Sequence, residues 1–322
     1  MELYCGPPPR GRALEGLHSF LAAAGLRFDE GVQYTVSLAE GDEILASGSL
    51  DGGVLKCIAV SADHGGEGLA AVILTELINE AGRRGVHHLF LFTKPGNEEL
   101  FGSLGFFPVA GTADSLLMEN KKGGAADFVA SLERPAPEGG INGAILMNGN
   151  PFTLGHQYLV EKAAAECNAL HLFVVSEDRS AFPAELRLRL ARAGTAHLKN
   201  VLVHPTGPYL ISAATFPDYF IKDKVRAETI NTLLDLKIFA ECFARPLGIT
   251  LRFVGEEPLD PVTGAYNRQM KEFLPSRGIE VREIKRLEQG GGPVSASRVR
   301  KLLGEGRLEE AAELVPPSTM KY

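Results

Sequence analysis

Cysteine is scarce: Cys5, Cys57, Cys167 and Cys242 are the four in a chain of 322 residues, they lie far apart, and no CxxC occurs. That excludes a disulfide framework and argues against a zinc site, so a reducing cytoplasm is the expected compartment. Long apolar runs are missing as well. The longest, such as Leu170 to Val175, have the length of a strand, far short of the roughly 20 residues a membrane-spanning helix needs. No long basic run is present, and 33 Lys+Arg against 40 Asp+Glu leave a net charge of −7. A nucleic-acid backbone is therefore not the expected partner. The first residues, Met1-Glu2-Leu3-Tyr4-Cys5, lack a basic region followed by an apolar one, so no export signal is expected. Internal repeats and low-complexity tracts are absent too. What is present is ordinary for a globular enzyme, with 45% hydrophobic and 23% charged residues. The length exceeds what one compact core usually holds, so two domains are expected.

The clearest seam lies between Glu119 and Gly140, where Pro135, Pro137 and glycine pairs interrupt any apolar period. We divide the chain into residues 1–128, a linker at 129–140, and residues 141–322. Before the seam, 32–38, 44–50 and 53–60 read as strands, and Leu69, Val72, Ile73 and Leu77 recur at helical spacing. A strand at 86–92, a short helix from Asn97 and a strand at 106–109 follow, an order β-β-β-α-β-α-β. After the seam, strands at 144–147, 170–176, 201–204, 250–254 and 280–284 alternate with helices at 155–167, 184–197, 223–243 and around 269–274, and two short helices close the chain. The fold class is α/β, with a mixed sheet first and a Rossmann-like parallel sheet second. Ligands of such parallel sheets bind beyond the carboxyl ends of the strands.

Two motifs fall there. After the first strand of the second domain comes Asn150-Pro151-Phe152-Thr153-Leu154-Gly155-His156. Thr153 is placed to cap the helix, Gly155 to let a ligand approach the backbone, and His156 to donate to a phosphate at a helix N-terminus. Near the other end, a glycine run at 290–292 leads into Pro293-Val294-Ser295-Ala296-Ser297-Arg298-Val299-Arg300. A flexible run would deliver Ser295 and Ser297 to a helix start, with Arg300 on the same face as Ser297. Two hydroxyls, free amides and a guanidinium make a second phosphate clamp.

The pair of motifs resembles the nucleotidylyltransferase superfamily, with its T/H-x-G-H turn and its terminal I-S-S-T-x-x-R-like helix. The segments 175–183, 211–220 and 253–258 narrow this, and the whole chain resembles the citrate lyase ligase family. The resemblance implies an ATP-dependent acid–thiol ligase. It would join acetate to the thiol of the CoA-like prosthetic group on the acyl carrier subunit of citrate lyase, through acetyl-adenylate, releasing AMP and pyrophosphate. His156, Thr153 and Arg300 would be catalytic, and Asn150, Phe152, Gly155, Gly255, Ser295 and Ser297 would bind ATP. Mg²⁺ would arrive on ATP, with no metal site of the protein's own. A plain adenylyltransferase and a CoA-sensing binding protein are the alternatives.

In the first domain, Gly66, Gly68 and Ala71 would fit a dinucleotide fingerprint. However, no acidic residue closes the following strand and the opening is not βαβ, which excludes NAD. The same turn resembles the pyrophosphate loop of GNAT acetyltransferases. By that resemblance Gly66, Gly68 and Ala70 would hold the CoA-like arm, although Gly65 stands where that family has a basic or amide residue. Other polar residues read blandly: Arg187 and Arg189 as a solvated helix face, His171 as a core or surface residue, Lys222 and Lys224 as solvated lysines. Glu256 and Glu257 could orient ribose or magnesium, although charged loop residues usually do neither.

Overall fold

The computed structural model describes residues 1–29, 31–135, 140–178, 180–211, 224–257 and 261–322. The expected Lys222, the segment 212–220, Arg179 and Pro258 lie outside the described residues. Of the described residues, 1–124 and 224–234 group into one compact unit, and 125–211 and 235–322 into a second.

The first unit opens with β1 (Glu2–Gly6) and α1 (Arg12–Ala23), followed by the meander β2 (Tyr34–Glu40), β3 (Glu43–Asp51) and β4 (Val54–Val60). Then come α2 (Leu69–Arg83), β5 (Phe90–Thr93), α3 (Glu98–Ser103), β6 (Phe107–Gly111) and β7 (Leu116–Glu119). These strands form one sheet in the order β1-β2-β3-β4-β5-β7-β6. Only β4 and β5 run parallel, and they pair only through Val54–Phe90 and Leu55–Leu91. Beyond Leu55 the two strands part, and Cys57 takes a positive φ of 54° at a bulge opposite Gly48. Ile73, Leu74 and Leu77 of α2 pack on one face of this sheet. Leu17 and Leu21 of α1 pack on Cys57 and Ala59.

Some expectations need correction here. β1, α1 and β7 were not anticipated, and residues 86–89 are not strand. β1 hides from pattern reading because its first four residues are all exposed, leaving no apolar alternation.

The second unit opens within α4 (Gly124–Ala130), a helix inside the expected seam. Phe128 anchors it, its ring 5.5 Å from Tyr209 and 6.1 Å from Phe243. Then follow β8 (Asn142–Met147), α5 (Leu154–Ala164), β9 (Ala169–Val174), α6 (Ala184–Thr195) and β10 (Val201–Pro205). Next along the chain are α7 (Lys224–Ile238), which joins this unit from Asp235 and loosens into a π-helical stretch at Phe239–Ala244, and α8 (Arg245–Leu247). β11 (Ile249–Gly255), α9 (Pro261–Phe273), β12 (Glu280–Ile284), the hairpin β13 (Glu288–Gln289) and β14 (Gly292–Pro293), and helices α10 (Ala296–Gly304), α11 (Leu308–Ala312) and α12 (Pro317–Met320) complete it. The main sheet is wholly parallel in the order β10-β9-β8-β11-β12. Ile145, Leu172 and Phe253 on one face bury against Val160 of α5 and Leu190 of α6. The order reverses beside β8, the point where an open α/β sheet leaves a crevice at its carboxyl edge.

Candidate active site

The turn after β8 is built around a reciprocal cap. Thr153 stands at the N-cap of α5, its Oγ1 accepting the His156 N–H at 3.3 Å. In return the Thr153 N–H donates to His156 Nδ1 at 3.0 Å. That bond fixes the tautomer: Nδ1 is an acceptor, so the neutral ring carries its proton on Nε2. Burial, with Arg286 nearby, pushes the His156 pKa down to about 4, so the ring is neutral at physiological pH. The ring stacks on Phe152 at 5.6 Å. It is half-buried rather than the exposed side chain expected of a first turn.

Not every amide of this turn is open to a ligand. The Leu154 N–H donates to Leu314 O at 2.9 Å, and that of His156 is taken by Thr153. Gly155 N–H has no partner among the described residues. The structure also gives a steric reason for a glycine at 155. A Cβ there would lie 2.5 Å from Val294 O. The close neighbour is thus the segment leading into α10, and the glycine lets the two motifs touch.

That segment is more ordered than a flexible run. Gly290 and Gly291, with φ of 61° and 76°, form the two-residue turn between β13 and β14. Positive φ at both positions is what such a hairpin turn requires, and glycine supplies it. Ser295 caps α10 by accepting the Arg298 N–H at 3.2 Å. Arg300, one turn on, donates to Ser297 Oγ at 3.1 Å and to Asn150 O at 2.5 Å. Asn150 in turn accepts the Phe182 N–H at 3.0 Å through Oδ1. The structure therefore brings Asn150, Phe152, Thr153, Gly155, His156, Ser297 and Arg300 together at the carboxyl end of β8. Gly255 ends the neighbouring strand β11, and its carbonyl accepts from Asn267 Nδ2 at 3.2 Å.

Two arginines were missed or misread. Arg187 is not on a solvated face but fully buried. Its Nε donates to Phe182 O, its Nη1 to Asn148 O and Val175 O, and its Nη2 to Glu177 O, at 2.6–3.0 Å. It ties the ends of β8 and β9 to the loop before α6; burial lowers its pKa, opposed by Asp178 and Glu177. The signal was available, since Leu190, Ala191 and Gly194 at the following helical spacings are also buried. Arg286 had no such local signal. It follows β12, donates to Glu256 O at 2.6 Å, and pairs with Glu257. Glu257 thus meets a guanidinium, where the sequence reading considered ribose or magnesium.

In the first unit, Gly66 and Gly68 have φ of 85° and 76°. Their role is conformational, because no atom lies within 4 Å of a Cβ at either position. The turn leaves the Leu69 and Ala70 amides at the start of α2 without a side-chain cap. His64 Nδ1 and Glu67 pair across the same turn at 3.1 Å.

Comparison with known proteins follows the same residues. The profile of the citrate lyase ligase C-terminal domain matches residues 142–322. Along nearly the whole chain, the sequence is 43% identical to the [Citrate [pro-3S]-lyase] ligase of Klebsiella pneumoniae, covering 96% of this chain and 92% of that one. The chain belongs to the citrate lyase ligase family. The Escherichia coli (strain K12) member is 42% identical, over 94% of this chain and 88% of its own. Among solved structures, Thermotoga maritima TmcAL bound with alpha-thio ATP is 13% identical, covering 56% of this chain and 54% of that chain at a TM-score of 0.40. The citrate lyase ligase domain matched by the profile contains both the turn at 150–156 and the helix at 296–304. Among the described residues, no helix is long and apolar enough to cross a membrane.

Proposed function

We propose that this family member is an ATP-dependent acid–thiol ligase that acetylates the CoA-like prosthetic group on the acyl carrier subunit of citrate lyase. The observation that carries the reading is the meeting of the two motifs, Gly155 against Val294 O and Arg300 on Asn150 O. In the first step a carboxylate oxygen of acetate attacks the α-phosphorus of ATP. An O–P bond forms, the α–β bridge breaks, and pyrophosphate leaves. The His156 Nε2–H and the Gly155 N–H are donors for the oxygens whose charge grows, and the ring's neutrality keeps Nε2 protonated without an added charge. Ser297 and Arg300 hold the departing phosphates, and Arg286 adds positive charge beside His156. In the second step the carrier thiol attacks the acyl carbon, the bond to AMP breaks, and the thiol proton is released.

The uncapped amides after Gly66 and Gly68 support a cradle for the pyrophosphate of the carrier's arm in the first unit. Magnesium comes with ATP, and a cytoplasmic setting suits these substrates. The test is ATP–pyrophosphate exchange measured with and without short carboxylates, alongside AMP release when carrier protein is supplied. Exchange independent of any acid would refute the reading.

A further inference from the structure

The two faces of the parallel sheet differ in character. The face toward α5 and α6 is apolar. On the other face Arg252 of β11, Ala144 of β8 and His171 of β9 stand side by side in register across three adjacent strands. Arg252 is 3% exposed, and its Nε and Nη1 find no hydrogen-bond partner among the described residues. Its guanidinium carbon lies 4.5 Å from the centre of the Phe239 ring. His171, also buried, shares a hydrogen bond between Nδ1 and His204 Nε2 at 3.0 Å, and its own Nε2 has no partner among the described residues. Buried polar atoms left unmet are rare and costly. Here they flank the smallest side chain of the row.

Asp235 and Tyr266 face Arg252, but among the described residues no carboxylate forms an ion pair with it. Asp235 instead accepts the Ile211 N–H and the Tyr266 O–H, each at 2.7 Å. Asn267, next to Tyr266, bonds to Gly255 O at the carboxyl end of β11.

We propose that Arg252, on the sheet face where Ala144 stands beside it in register, is the anion hook that takes the carboxylate of the short-chain acid substrate. The inference rests on the acid-activating reading above and deepens it. A carboxylate fits better than a phosphate for two reasons. Asp235 already offsets part of the arginine's charge, which favours a monoanion. The Phe239 ring and the Ala144 methyl are apolar neighbours of the guanidinium, suited to the methyl group of a short acid. A guanidinium grips a carboxylate with two parallel bonds, which a lysine cannot copy.

The experiment compares wild type with Arg252→Met and Arg252→Lys in acetate-dependent ATP–pyrophosphate exchange, with thermal melts of each. Replacing a buried charge by an apolar side chain of similar size is often neutral or stabilising, so the Met variant is expected to melt no lower than wild type. Loss of a charged hydrogen-bonding partner should raise KM for acetate about 10–100-fold while KM for ATP stays within about twofold. In the wild type, acetate but not inorganic phosphate should raise the melting temperature over chloride at equal ionic strength, and in the Met variant acetate should not. An unchanged acetate KM in a folded Met variant overturns the proposal. So does a parallel rise in KM for ATP, which would make Arg252 a phosphate ligand. If the variants do not fold, the wild-type melts decide: stabilisation by phosphate and not by acetate refutes the hook. Wild type that binds acetate yet shows no exchange refutes the ligase reading and leaves the hook standing.

Discussion

Adding one methyl group at Gly155 tests whether the two halves of the nucleotide site depend on each other. A Cβ there would stand 2.5 Å from Val294 O, whereas unstrained contact begins near 3.5 Å, so the carbonyl must retreat by roughly 1 Å. Val294 is fixed on its other side, its N–H bonded to Leu287 O at 2.9 Å, and the retreat is passed on to Ser295, Ser297 and Arg300. Helix propensity alone favours Gly155→Ala by about 1 kcal/mol. Overpacking of a tight contact costs about 1–3 kcal/mol, so the net stability change is expected to run from near zero to a loss of about 2 kcal/mol. Activity should fall further than stability, because a misplacement of about 1 Å in a positioning element costs on the order of 10²-fold in rate. The assay is acid-dependent ATP–pyrophosphate exchange beside a thermal melt of the same preparation. A folded Gly155→Ala protein with wild-type exchange would show that the contact with Val294 does not position the clamp.

Replacing His156 by alanine removes one donor and should slow adenylation about 10²–10³-fold in a folded protein; undiminished pyrophosphate release would exclude the ring from the chemistry. The histidines also predict how stability follows pH. His156, at about 4, and the buried pair His171 and His204 all have pKa values pushed below the ordinary histidine range by burial. Their unfolded forms bind protons from about pH 6.5 downward while the folded forms do not, so their stabilisation is full above that pH and is lost as pH falls toward 4. Thermal melts between pH 7 and 4 should drop accordingly, and a His171→Phe/His204→Leu double variant with an unchanged pH slope would refute the assignment. Gly68→Ala forces a side chain into a positive φ of 76° and should impair transfer to the carrier while leaving acetate-dependent exchange intact; equal loss of both in folded protein would place the turn in the ATP chemistry.

How much of this was legible depends on where each residue's partners lie. The cap of α5 is a local object, with Thr153 and His156 three positions apart, and the spacing alone exposes it. So is the start of α10 at Ser295. The parallel sheet was legible because its inner strands, such as β8 and β9, are buried on both faces and read as apolar runs. By contrast, Arg252 is a polar residue inside such a run, and nothing in its neighbours along the chain sets it apart. The nearness of Arg286 to His156 joins residues 130 positions apart. Arg187 lay in between: its helical stripe was visible, but composition argued for solvent, and only the carbonyls gathered from Asn148 to Phe182 explain its burial.

The capping of α5 by Leu314 O and the bond from Thr319 Oγ1 to Phe152 O at 3.0 Å bear on how the chain acquires its active form during synthesis. The turn at 150–156 emerges from the ribosome long before the residues that complete it. Contacts of such sequence separation are late events in folding. In the interval the first strands and helices of the parallel sheet can form, but the Leu154 amide lacks its acceptor and the second clamp does not exist. A nascent chain would therefore hold a partly built sheet with no competent nucleotide site. Binding of ATP would report completion of the second unit, which suits it as a probe for following refolding as well as catalysis.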